Sequence, residues 1–151
     1  MKIKIEFLSW VGRAALEIEA RSIKEAVESA TKDGANLYGA NLEGANLDGA
    51  NLDGAKYGDK QLWASRPVLQ LGPCGRTGRT TVVFFFADGS EPLIRCGCFT
   101  GTLEEFREKI HETHEGTFHE LEYNALASHI EAIYQIQKDE LKKQETDNET
   151  L

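Results

Sequence analysis

The chain predicts an α+β fold on three observations. Its first twenty residues alternate apolar and polar side chains, its middle repeats a five-residue unit without interruption, and its helical stripes each follow a capping signal.

Residues 2–7 place Ile3, Ile5 and Phe7 on one side and Lys2, Lys4 and Glu6 on the other, the period-two pattern of a half-buried strand. Leu16, Ile18 and Ala20 repeat it, with Glu17, Glu19 and Arg21 outward. Gly12 lies in the connection, which predicts a hairpin whose lysines and glutamates pair across the strands and set the register. Ser22 and Glu25 then form a capping box ahead of Ile23, Ala26, Val27 and Ala30, an apolar helical stripe that Asp33-Gly34 terminates.

The repeat follows. Ala35-Asn36-Leu37-Tyr38-Gly39 is succeeded by the units beginning at Ala40, Ala45 and Ala50, and by a decayed unit, Ala55-Lys56-Tyr57-Gly58-Asp59. This run resembles the pentapeptide-repeat family, whose fold is a right-handed quadrilateral β-helix with four repeats per coil. The resemblance implies that Ala and Leu point inward while Asn and the variable position face outward. Such a run makes about one coil, and stacked coils rise only by roughly a strand spacing of 4.8 Å. A single coil cannot bury its own core, so it needs a cap at each end. The first helix and the C-terminal half are the expected caps.

That half opens with a strand over Pro67-Val68-Leu69-Gln70-Leu71, and Gly and Pro content predicts a loop over Gly72–Gly78. Thr81–Ala87 lacks polar alternation and reads as a central strand buried on both faces. Asp88-Gly89 signals a hairpin, and Leu93-Ile94-Arg95-Cys96-Gly97-Cys98 is the returning strand. Thr102 with Glu105 caps a helix carrying Leu103, Phe106 and Ile110, ended by Gly116. Thr117 with Glu120 caps a longer one, to about Lys143, striped by Tyr123, Leu126, Ile130, Ile133 and Leu141. The expected organisation is one compact unit: 1–33 hairpin and helix cap, 34–60 repeats, 61–143 β-meander with two helices, 144–151 disordered tail.

Leu71-Gly72-Pro73, the stretch Gly97-Cys98-Phe99-Thr100-Gly101-Thr102-Leu103-Glu104-Glu105-Phe106, and His114 resemble the C-terminal half of small pentapeptide-repeat proteins found in bacteriophage genomes. That resemblance implies a phage origin and, with it, the cytosol of a bacterial host.

Composition is globular, with 40% hydrophobic and 28% charged residues. No apolar run reaches the roughly 20 residues that span a bilayer, so no membrane association is expected, and the charged N-terminus is unlike a signal peptide. The three cysteines are an odd number, and reduced thiols in a cytoplasmic chain are the simpler expectation. The net charge is −8, yet residues 61–98 set Arg66, Arg76, Arg79 and Arg95 against only Asp88 and Glu91. An acidic chain is poorly suited to nonspecific duplex DNA binding.

The arginine island makes an anion site one reading of the loop. Gly75 and Gly78 let backbone N–H groups converge, Arg76 and Arg79 offer bidentate donors, Thr77 adds a hydroxyl, and Arg95 belongs to the same island. The competing reading is a hairpin loop with solvated arginines. Cys96 and Cys98 with His111 and His114 suggest zinc, but one residue between the cysteines is fewer than structural sites use, and neither metal nor cofactor is expected. Cys98 or Cys74 with His114 lacks a third orienting group, so no enzymatic activity is expected. His119 and His129 receive no role. Glu104, Glu105, Glu108, Glu112 and Glu115 form a solvated face that could also dock on a basic partner. Three functions follow: sequestration of an anionic nucleotide-type signal by a phage protein that counters host defence, inhibition of a host protein through the acidic surface, or a structural accessory role. A homo-oligomer through the C-terminal helix is expected with the first.

Overall fold

The computed structural model of the chain describes residues 1–9, 12–33, 36–38, 46, 47, 50–52 and 54–149; within the first two strands it describes side chains at 1–4, 17, 19 and 20. Strands β1 (Lys2–Ser9) and β2 (Gly12–Glu19) form the N-terminal hairpin. Lys2 stands opposite Glu19 and Lys4 opposite Glu17, the charge-matched register expected from the alternation. Gly12 begins β2 rather than lying in the connection. Ile3 and Ala20 are buried; the expected inward positions Ile5, Phe7, Leu16 and Ile18 lie outside the described side chains.

Helix α1 (Ile23–Lys32) starts at Ser22, whose Oγ accepts from the Glu25 N–H at 3.1 Å. The Glu25 carboxylate reaches one residue further back than a capping box requires and accepts from Arg21 N at 2.8 Å. Ala26, Val27 and Ala30 are buried. Ile23 shares their face but, at the first helical position, stays 42% exposed.

Within the repeats, Leu37, Leu47, Leu52 and Ala55 are buried, while Asn36, Asn46 and Asn51 are exposed. Asn36 and Lys56, twenty positions apart, form a parallel bridge, and Leu37 N donates to Lys56 O at 2.9 Å. The chain therefore lies alongside itself again after twenty residues, the length of four units; the inward and outward positions expected at 40–45 lie outside the described residues. Asn36 fastens the return: its Oδ1 accepts from Tyr38 N and Gly58 N, and its Nδ2 donates to Gly58 O. The decayed fifth unit supplies β3 (Lys56–Tyr57), paired with β4 (Lys60–Gln61).

A four-stranded antiparallel sheet follows in the order β5 (Val68–Cys74), β6 (Arg79–Phe84), β7 (Leu93–Cys96), β8 (Phe99–Gly101). The loop expected over Gly72–Gly78 is shorter: β5 continues through a bulge to Cys74, opposite Arg79, leaving a four-residue loop, Gly75–Gly78. The returning strand also ends early. Gly97 has φ +58°, and Gly97-Cys98 is a two-residue turn that opens β8, a strand absent from the sequence reading. A positive φ at the first loop residue is what a type II′ hairpin turn requires.

Helix α2 (Leu103–His114) has both bonds of the Thr102/Glu105 capping box. Helix α3 (Phe118–Glu149) lacks the third: the Thr117 hydroxyl donates to His114 O at 2.7 Å, and the Glu120 carboxylate lies 3.5 Å from His111 Nδ1. Residues 144–149 continue α3 instead of fraying, with Gln144 Nε2 donating to Glu140 Oε1 at 3.4 Å and Thr146 Oγ1 to Lys142 O at 3.0 Å along the helix. Leu141 reaches Gly89, and Gln137, fully buried, donates to Phe86 O at 2.5 Å.

The sheet separates two apolar clusters. Val82, Phe84 and Phe86 pack with α1, the repeat leucines, Tyr57 and Leu62; Leu69, Val83, Phe85 and Ile94 pack with Trp63, Phe106, Ile110, Tyr123, Ala127 and Ile130. The coil is thus capped by α1 and by the sheet. Leu37, 1% exposed, is central to that sandwich. Its replacement by Ala should cost about 2–5 kcal/mol, read as a lower urea midpoint with unchanged slope.

Candidate anion-binding site

In an antiparallel meander, alternate turns emerge at the same end of the sheet. The β5–β6 loop and the β7–β8 turn therefore sit together, and α2 runs beside them with the first turns of α3. Between these parts lies a cavity of about 320 Å³, lined by Arg76, Thr77, Arg79, Cys96, Cys98, Phe99, Phe106, Lys109, Ile110, Thr113, His114 and Tyr123.

Arg79, the first residue of β6, is held at both ends of its guanidinium. Its Nε donates to Thr77 Oγ1 at 3.1 Å, and its Nη1 packs against Gly97 so closely that a Cβ there would lie 1.9 Å away. Gly97 is thus required twice, for its turn and for the arginine above it. Arg76 makes no ion pair among the described residues, and Lys109 lies 3.9 Å from Glu112 at the exposed surface of α2. The lining contains three cationic side chains and no Asp or Glu.

The floor is aromatic. His114 stacks on Tyr123 with centroids 5.1 Å apart, Tyr123 meets Phe106 edge-on, and Phe106 packs against Phe99 at 5.5 Å.

The loop is anchored from α3. Gly75 N donates to Glu122 Oε1 at 2.6 Å, and a Cβ on Gly75 would lie 2.2 Å from the Tyr123 hydroxyl. Its φ of +75° is a second reason for glycine there. Those bonds, first from Gly75 N–H and then from the Cys74 thiol, hold the Glu122 carboxyl below the usual carboxylate range; His119 Nδ1 lies 3.4 Å away. Burial first, then the neighbouring Glu122, pushes the Cys74 thiol up to about 12, so it is neutral at physiological pH. Burial, with Cys96 and Cys74 nearby, pushes the Tyr123 hydroxyl up to about 12 as well.

Of the residues singled out in the sequence, Arg76, Thr77 and Arg79 line the cavity, with Gly75 and Gly78 bounding their loop. Arg95 does not join them. It is opposite Val82, on the face turned toward the repeats, because its β7 neighbours Ile94 and Cys96 take the helix side. The zinc set is also divided: Cys96, Cys98 and His114 line the cavity, but His111 is exposed and faces Glu115 and Glu120. Cys98 sits in the turn between β7 and β8, not on the returning strand with Cys96. Among the described residues, no three His, Cys, Asp or Glu side chains are grouped to hold a metal ion. Lys109, Thr113 and Glu122 escaped the sequence reading. Lys109 and Thr113 had one local signal, their i,i+4 spacing on the α2 flank next to Phe106 and Ile110.

Residues 33–56 are a pentapeptide-repeat region: they match the family model described as Pentapeptide repeats (8 copies), over a stretch shorter than eight units require. No curated protein and no solved structure matches the chain. Among the described residues, no helix is long and apolar enough to cross a membrane.

Two outcomes test this geometry. In the folded protein a thiol reagent should modify exposed Cys98 quickly and leave Cys74 unmodified until denaturant is added. Because folding lowers the Glu122 pKa, its contribution is complete above the ordinary carboxylate value of about 4.3 and is lost as pH falls toward the folded value. Glu122→Gln should flatten the decline of the denaturation midpoint below that pH.

Proposed function

We propose that this is a non-enzymatic, phage-encoded binding protein that counters host defence by sequestering an anionic nucleotide-type signal. The observation that carries the reading is the cavity lining: Arg76, Arg79 and Lys109 face an aromatic floor with no carboxylate, in a chain of net charge −8. Elsewhere the acidic surface repels a phosphate ligand, so local positive potential selects the place of binding. Flat rings below and guanidinium donors at the side suit a base and a phosphate together. The phage origin rests on the resemblance of the Gly97–Phe106 stretch. Self-association is part of the reading, supported by Phe118, Leu121 and Ile136, which α3 leaves 71%, 69% and 56% exposed.

A second reading is inhibition of a host protein by acidic docking, favoured by the exposure of Glu104, Glu105, Glu108, Glu112 and Glu115. Such a complex would weaken steeply with added salt and would not depend on Arg79.

Native mass spectrometry of the full chain, with and without linear and cyclic nucleotides, tests the first reading. The wild type should retain a nucleotide-sized mass, and the Arg76→Ala/Arg79→Ala variant should bind roughly tenfold or more weakly while its circular dichroism is unchanged. Equal uptake by the variant would exclude these arginines as the site.

A further inference from the structure

We infer that the cavity between α2 and the two hairpin loops takes a single nucleotide unit bearing a terminal phosphate monoester, and disfavours cyclic and diester-bridged nucleotides. This rests on the anion-binding reading above and narrows it to one ligand class.

Size is the first argument. The cavity measures about 320 Å³, near the lower end of ligand pockets, which span roughly 300–1,000 Å³. One base, one sugar and one phosphate are a ligand of that scale; two bases joined by two phosphates are not.

Charge density is the second. Three cationic side chains line this one small space. A phosphate monoester carries about −1.5 to −2 near neutral pH, whereas a diester carries a single charge. The monoester therefore places the most negative charge in the least volume, which is what a crowded cationic lining attracts.

Donor geometry is the third. The Arg79 Nε–H is already given to Thr77 Oγ1, and Gly97 supports Nη1 from below. The guanidinium consequently offers its outer edge. Three free terminal oxygens give that edge, Arg76 and Lys109 one acceptor each, whereas a bridged phosphate has two free oxygens of lower total charge to share among them.

The floor adds a property of its own. Phe99 and His114, half-buried over the buried rings of Phe106 and Tyr123, are the ring surfaces within reach of a base, and ring stacking accepts any base. Selectivity accordingly falls on the phosphate and much less on the base.

Calorimetric titration of the full chain at low salt tests the inference with AMP, UMP, adenosine, inorganic phosphate, 3′,5′-cyclic AMP and cyclic di-AMP. AMP and UMP should bind similarly. Adenosine, inorganic phosphate, cyclic AMP and cyclic di-AMP should each bind roughly tenfold or more weakly. Phe99→Ala should weaken AMP and leave inorganic phosphate unchanged. Gly97→Ala, which keeps the charge but displaces Arg79, should weaken both, as Arg79→Ala does. Cyclic AMP or cyclic di-AMP binding as tightly as AMP would overturn the monoester inference while leaving nucleotide sequestration in place. Failure of every nucleotide to bind folded protein would overturn both.

Discussion

The two-sided burial of β6 is the constraint on which the rest of the structure depends. Residues Thr81 to Phe84, and Phe85 and Phe86 directly after the strand, are all buried, so neither face of this segment can meet water. Val82, Phe84 and Phe86 require a partner on one side, which is the coil with α1; Val83 and Phe85 require another, which is the helical layer. Each large apolar side chain so buried contributes about 1.5–3 kcal/mol. The strand ties two otherwise unrelated halves into one core, and residues 61–63 extend the tie: Trp63 N donates to Phe85 O at 2.8 Å and Ala87 N to Gln61 O at 2.8 Å.

The cavity inherits its position from this arrangement. With β6 fixed, its hairpin to β5 and the β7–β8 turn must emerge at one end, and α2 must cross close beside them to bury Phe106 and Ile110. Glu122 then acts from a different element, joining α3 to the base of the arginine loop. Arg76 and Thr77 are therefore carried on a loop whose root is bonded on both sides, a better platform for a ligand than a free loop of the same composition.

Much of the fold was legible because the signals were local. The hairpin register followed from Lys and Glu placement, α1 and α2 from their caps, and β6 from an uninterrupted apolar run. Errors arose where two local preferences competed. Thr117 had a capping partner in Glu120, but its hydroxyl instead satisfied a carbonyl at the end of α2. Cys96-Gly97-Cys98 read as strand because glycine can be extended, and only the pairing of Cys96 with Phe99 makes it a turn. Within the site, Arg76 and Thr77 were visible as a loop cluster. Arg95 was assigned by charge alone, and strand alternation sends it to the other face. Glu122 had no signal at all, since it meets Gly75 across 47 positions.

The bridge between Asn36 and Lys56 bears on how such a protein can grow. Long solenoids lengthen by duplication, adding units at an open end. Here both ends of the turn are occupied, one by α1 and one by the sheet. Inserting one five-residue unit would rotate everything downstream by a quarter turn and aim Tyr57 and Leu62 away from Phe84 and Phe86. Only four units together would restore the direction, and they would also lift α1 from the sheet by roughly 4.8 Å. The repeat is therefore a fixed-length part in this architecture: its sequence can drift at the outward positions, but its count cannot change by small steps.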